Sequence, residues 1–162
     1  MAQSSAEMLR SFIDYNYWAR DRLLARLLFL PTAFYFAPAE LDHGSIHRTL
    51  VHALQAEINW RLRIQGQPLK PEIKVEDAEQ LKQAWLKEEA LWRDLVAGLT
   101  DEDAGREVTY QAGGGKQHTD PLWQIVFHVT GHGAQHFAEV ALALTKQGHS
   151  PGNLDYMEYV HP

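Results

Sequence analysis

The sequence contains no cysteine. That absence excludes a disulfide framework, a thiolate nucleophile and a Cys-based zinc site, so any soft-metal centre here must be built from histidine. Blocks of Lys or Arg are also missing, and 21 acidic residues outweigh 15 basic ones for a net charge of -6. The electrostatic footprint of a nucleic-acid-binding protein is therefore lacking. Long apolar runs are scarce: the most apolar window, Leu23 to Phe36, holds Arg26 and Pro31 and is too short to span a bilayer, so it reads as a helix end and a loop. The first residues, Met1 to Glu7, carry no positive region leading into an apolar stretch. No secretory signal is read, and a cytoplasmic location is the expectation. Internal repeats and low-complexity tracts are not evident.

The 162 residues, 45% of them hydrophobic and 22% charged, fit one soluble globular domain, 1–162, with enough chain to bury a core. From Ala6 to Leu30 apolar residues recur at spacings of three and four until Pro31, which predicts a first helix. Asp42, Gly44 and Ser45 form a loop and N-cap for a second, Ile46 to Ile64, closed by Gly66. An extended linker, Gln67 to Pro71, precedes Asp77, which caps a third helix carrying Leu81, Trp85, Leu91, Trp92 and Leu95 and ending near Gly98. Between Arg106 and Thr119 two short polar and β-branched runs flank Gly113-Gly114-Gly115, the pattern of a short hairpin or ordered loop. Asp120-Pro121 then predicts the start of a fourth helix, running to Leu144 before Lys146 and Gly148. The fold class is all-α, a four-helix bundle, whose interior is a common place for metal sites.

Nine histidines are a high count, and six lie in the last third. His128, His132 and His136 are each four apart, so consecutive members project one helical turn apart. All three cannot aim at one point, because each step of four rotates the direction by roughly 40° and climbs about 6 Å. The apolar seam of the fourth helix, traced through Leu122, Ile125, Val129, His132, His136 and Ala143, puts His132 and His136 on the core line and His128 at its margin. His128 is excluded as a ligand on this ground. Two core-facing imidazoles without partners cost on the order of 1–3 kcal/mol each, and a metal would satisfy both. Gly131 and Gly133, flanking His132, remove bulk where a helix, substrate or water must come close. A third ligand must come from another helix. His47 shares a stripe with Val51, Leu54 and Ile58, and His52 shares a face with Thr49, Ala56 and Asn59, so periodicity leaves both open.

The residues resemble the DinB/YfiT-like family of helical, metal-dependent proteins over nearly the whole chain. The likeness is carried by Tyr15 to Arg20, by Ser45 to Trp60, by His128 to His136, and by the closing segment from Gly148 to Tyr159 with Pro151 and Asp155. In the family pattern the helix-two ligand is followed five positions on by Glu and eight on by Trp, which His52, Glu57 and Trp60 match and His47 does not. The resemblance implies His52, His132 and His136 as metal ligands. It departs at the last of them: family members often carry His-Arg-Gly-Gln there, whereas this chain has Gln135-His136-Phe137-Ala138-Glu139 and no arginine for an anionic substrate.

Three imidazoles leave coordination positions open, the arrangement of a catalytic site. Zinc or nickel suits the ligand set best, and manganese and iron are compatible with it. The leading expectation is a metal-dependent hydrolase, or a transferase using a low-molecular-weight thiol, the latter as the resemblance implies. Glu57, Asn59, Gln135 and Glu139 lie near the ligands in sequence and are read as candidates for a base or for orienting the imidazoles, although each is first a solvated helix-face residue. The alternative is a non-enzymatic stress or DNA-damage-inducible protein whose bundle the metal stabilises. A third, metal-free reading is a bundle that dimerises through its tryptophans and leucines. Family likeness implies a homodimer, with a small-molecule substrate and neither nucleic acid nor membrane as partner.

Overall fold

A computed structural model describes residues 4–161. Its four long helices are α1 (Ser5–Leu27), α3 (Ile46–Ile64), α4 (Ala78–Ala97) and α6 (Leu122–Lys146). Three short ones, α2 (Thr32–Phe36), α5 (Asp101–Ala104) and α7 (Tyr156–Val160), sit in the connections and at the end. The long helices begin where side chains can satisfy their free N–H groups. Ser4 and Glu7 cap α1 reciprocally, Ser45 accepts from Arg48 N on α3, and Asp77 accepts from Gln80 N on α4. Gly66, with φ +65°, carries the chain out of α3 in a left-handed conformation that suits glycine.

The segment between α5 and α6 is a hairpin, β1 (Glu107–Gln111) paired antiparallel with β2 (Gln117–Pro121), so of the two expectations the hairpin is the one realised. Two boundaries differ from the sequence reading. The first helix stops at Leu27 and not at Leu30, because Pro31 has no N–H to continue the ladder; it instead sits at the N-cap of α2, inside the stretch read as loop. Pro121 both ends β2 and is the N-cap of α6, so the helix opens at Leu122, one residue beyond the Asp120-Pro121 start; the Asp120 side chain does not cap it, and its Oδ2 accepts from Tyr110 Oη–H at 2.7 Å across the hairpin.

Helix α1 packs on α6 and α4, and α3 packs on the same two. The core between them holds Tyr17, Leu50, Leu54, Trp85, Trp92 and Phe137, all nearly inaccessible. On α6 the buried line runs Leu122, Ile125, Val126, Val129, Gly133, Phe137, Val140 and Leu144. It departs from the traced seam after Val129: His132 is half-buried at the margin and Ala143 is off the line, while His136 remains buried. A straight helix drifts about 20° per heptad from a strict 3.5 repeat, and six turns accumulate that drift. Gly133 is where α1 comes close, since a Cβ there would stand 2.2 Å from Asn16 Oδ1. Gly131 faces open space, so close approach does not explain it.

Candidate metal centre

The site lies where α3 faces α6. Asn16 of α1 against Gly133 allows α1 and α6 to approach, and α3 is laid against α6 on another side. His52, two turns into α3, and His132 and His136, one turn apart on α6, project toward each other. His52 Nε2 lies 3.1 Å from His132 Nε2, and His136 Nε2 lies 3.2 Å from the same atom. An imidazole nitrogen holds either one proton or one lone pair in its ring plane, so His132 Nε2 has a single valence to share between two partners. The three rings therefore satisfy one another incompletely. Nitrogens that bind a tetrahedral zinc at its usual bond length stand about 3.3 Å apart, so the spacing and the donor set both fit such an ion.

The surroundings of His52 and His132 favour their neutral form. His132 is pushed down to about 4, first by burial and then by the neighbouring imidazoles of His136, His52, His128 and His43. His52 is lowered as well, by burial and by His43 and His136, with Glu139 opposing. Neutral imidazole is the form that binds a metal, so both are ready at neutral pH without first losing a proton. Glu139 faces His136 from one turn on, its Oε2 3.4 Å from Nδ1. A proton on Nδ1 would face that carboxylate and leave the lone pair of Nε2 toward the other rings.

The other histidines are placed elsewhere. His47 donates from Nε2 to the Val75 carbonyl at 3.1 Å and packs its ring against Tyr35 and Phe36. His128 is exposed and lies edge-on to Trp60 at 5.0 Å, beside the cluster but turned from its centre. Of the polar candidates Glu57, Asn59, Gln135 and Glu139, only Glu139 touches a ring of the cluster. Asn59 accepts from Gln55, and Gln135 is exposed. Glu57 is neither a solvated helix-face residue nor part of the cluster: it is 2% exposed and accepts from Asn16 Nδ2, Tyr17 Oη and Trp85 Nε1 at 2.9, 3.2 and 2.9 Å.

One residue escaped the sequence reading altogether. His43, in the turn before α3, stacks on His52 with ring centroids 4.0 Å apart and lies 5.3 Å from His136. Ligating atoms of His43, His52 and His136 all lie within 4.8 Å of one another, so this trio too could hold a metal ion. Helical spacing cannot find a loop residue; the sole hint was a histidine next to the cap of the helix that carries His52.

The family model described as the DinB family matches residues 1–162. The chain belongs to the DinB family. It is similar to Protein DinB of Bacillus subtilis (strain 168), with 25% identity over 157 residues that cover 91% of this chain and 90% of that protein. DinB family membership accords with the helical bundle and with the histidine cluster, and the register that matched His52 to the family pattern is the one whose residue the fold brings to His132 and His136. No helix among the described residues is long and apolar enough to cross a membrane.

Proposed function

We propose that this DinB family member is a metal-dependent enzyme in which His52, His132 and His136 hold one divalent transition ion, zinc or nickel in preference to manganese or iron. The observation that carries the reading is that the Nε2 atoms of His52 and His136 meet that of His132 at 3.1 and 3.2 Å, with no other hydrogen-bond partner for these atoms among the described residues. When bound, such an ion lowers the pKa of water or polarises a substrate oxygen or sulfur. The protein's own part is to hold the three rings in register, to orient His136 through Glu139, and to present the cleft lined by His43 and His52 to a small molecule. A hydrolase and a transferase using a low-molecular-weight thiol are both served by that arrangement.

A second reading has its own support. The cluster joins α3 to α6, so an ion there would cross-link the bundle, as in a metal-stabilised protein without catalysis. Elemental analysis of untagged protein after reconstitution tests the shared premise: one ion per chain is expected, and under about one tenth of an equivalent overturns it, since ligand sets of this kind bind zinc tightly. Turnover by the loaded protein against a panel of esters, amides and thiol–electrophile pairs separates enzyme from cross-link. Unfolding on chelation with no turnover favours the cross-link.

A further inference from the structure

A cleft of about 1140 Å³ opens beside the histidine cluster, between α3 and the segment 67–77 that leads into α4. His43 and His52 are part of its wall. The segment has no helix or strand of its own, yet it is tied to α3 twice. Gln55 Oε1 accepts from Ile73 N at 2.8 Å, and the Val75 carbonyl accepts from His47 Nε2 at 3.1 Å. The cleft is thus a feature with a fixed second wall, not a gap left by a loose loop.

Its charge stands apart from that of the chain. Arg48, Lys70 and Lys74 all line it, and among the described residues none of them forms an ion pair. Asp42 and Glu72 line it too, so three cations face two carboxylates in a protein whose net charge is -6. Arg48 precedes His52 by four residues on α3, one turn along the same face. Lys70 and Lys74 stand on the opposite wall. A guanidinium offers a planar fork to a carboxylate or phosphate, and the two ammonium groups serve as flexible point charges across from it.

We propose that this cleft binds a small substrate bearing at least two anionic oxygen groups, anchored by Arg48, Lys70 and Lys74, with its reacting end at the histidine cluster. The inference rests on the metal-centre reading for the meaning of that reacting end, and the test separates the two.

The probe is tricarballylate, a flexible tricarboxylate, with its neutral triamide as control, titrated into isotope-labelled full-length protein and followed by NMR. In metal-free and zinc-loaded protein alike, tricarballylate shifts the amides of Lys70 and of residues 72–75 and the Arg48 Nε–H signal, and the triamide does not. The Arg48→Ala, Lys70→Ala, Lys74→Ala triple variant weakens the tricarboxylate roughly tenfold or more while keeping its zinc content, because three exposed charge contacts of modest strength are lost together. In cobalt-loaded protein the methylene protons of the bound probe relax faster than in zinc-loaded protein, which places it beside the cluster. Absence of binding, equal binding of the triamide, unchanged affinity in the triple variant, or no paramagnetic relaxation each overturns the proposal. Failure to take up zinc or cobalt overturns the metal-centre reading instead, and the metal-free titration still decides whether the cleft holds the anion.

Discussion

Helix α3 carries two polar regions on different faces, and they are built on opposite rules. The Glu57 carboxylate is answered from neighbouring helices: Asn16 and Tyr17 of α1 and Trp85 of α4 donate to it, and nearby Arg61 forms a buried pair with Glu88 of α4 at 2.5 Å, while Asn16 Oδ1, set against Gly133, has no hydrogen-bond partner among the described residues. Around His52 the nitrogens meet chiefly one another. The buried Glu57 carboxylate is answered by three donors of the protein. Imidazoles left facing each other at the edge of a cleft are arranged for something the chain does not supply.

That contrast is most directly broken at the cluster. Alanine in place of His52 or His136, which belong to both histidine trios, is expected to drop bound zinc from one equivalent to below about one tenth, because two imidazoles make a poor site. His132→Ala is expected to do the same, and full zinc there with loss in His43→Ala would assign His43 as the third ligand. His47→Ala and His128→Ala are expected to retain it, by elemental analysis of untagged protein. Full zinc in His52→Ala with loss in His47→Ala would reverse the assignment on α3.

The architectural region is expected to respond through stability and not through metal. Glu88→Ala leaves the Arg61 guanidinium buried without its counter-charge and is expected to lower unfolding free energy by about 3–5 kcal/mol in urea titrations, with zinc uptake intact. Gln65 still accepts from Arg61, so a loss near the lower end is consistent with the pairing, and no loss contradicts it.

The two regions also carry opposite pH signs, which the metal-free protein should display. Burial pushes Glu57 up to about 7, its hydrogen-bond donors offsetting this only in part. The native state then holds a proton that the unfolded chain releases near its ordinary value of 4.5, so this group's contribution is complete below that pH and is lost as pH rises toward 7. The loss is on the order of 3 kcal/mol at most. His132 behaves the other way. Its folded form resists protonation down to about 4, so its contribution is complete above the ordinary 6.5 and is lost as pH falls toward 4. Urea titrations across this range are expected to show Glu57→Gln removing the loss on the alkaline side and His132→Gln removing the loss on the acidic side. A variant that flattens the wrong side breaks the comparison.

Smaller effects test the supports. Gly133→Ala forces a methyl group against Asn16 Oδ1 and is expected to cost about 1–3 kcal/mol, read as a lowered urea midpoint. Glu139→Gln, which keeps shape and removes charge opposite His136 Nδ1, is expected to weaken zinc roughly tenfold in competition with a chelator. Unchanged zinc affinity would leave Glu139 as a surface neighbour only.

Much of the frame was legible in the sequence because helices announce themselves locally. Ser45, Asp77, Gly66 and Gly98 marked ends that the structure keeps, and the triple glycine marked the hairpin. What stayed hidden depends on contacts between segments. Glu57 looked solvated because nothing in its own helix reveals Asn16, Tyr17 and Trp85 arriving from α1 and α4. A 3.5 repeat keeps His132 on the core line of α6, whereas the helix's own period moves it to the margin, where its ring meets His52 of α3. Periodicity left His47 and His52 level; the tie from His47 to Val75 is a long-range event, and so is the meeting of His52 with His132. Arginine was sought next to the last histidine of α6, whereas Arg48 on α3 is the one that lines the cleft.

The bond from Ile73 N to Gln55 makes that amide an unusual clock. It belongs to no helix or sheet ladder, and a single glutamine side chain shields it from solvent. Its deuterium uptake therefore counts the excursions in which the 67–77 segment lifts from α3, apart from the global unfolding that governs exchange in the long helices. A ligand lodged between the segment and α3 would slow that uptake while leaving the helices unchanged, so one backbone signal can follow access to the cleft before any reaction is known.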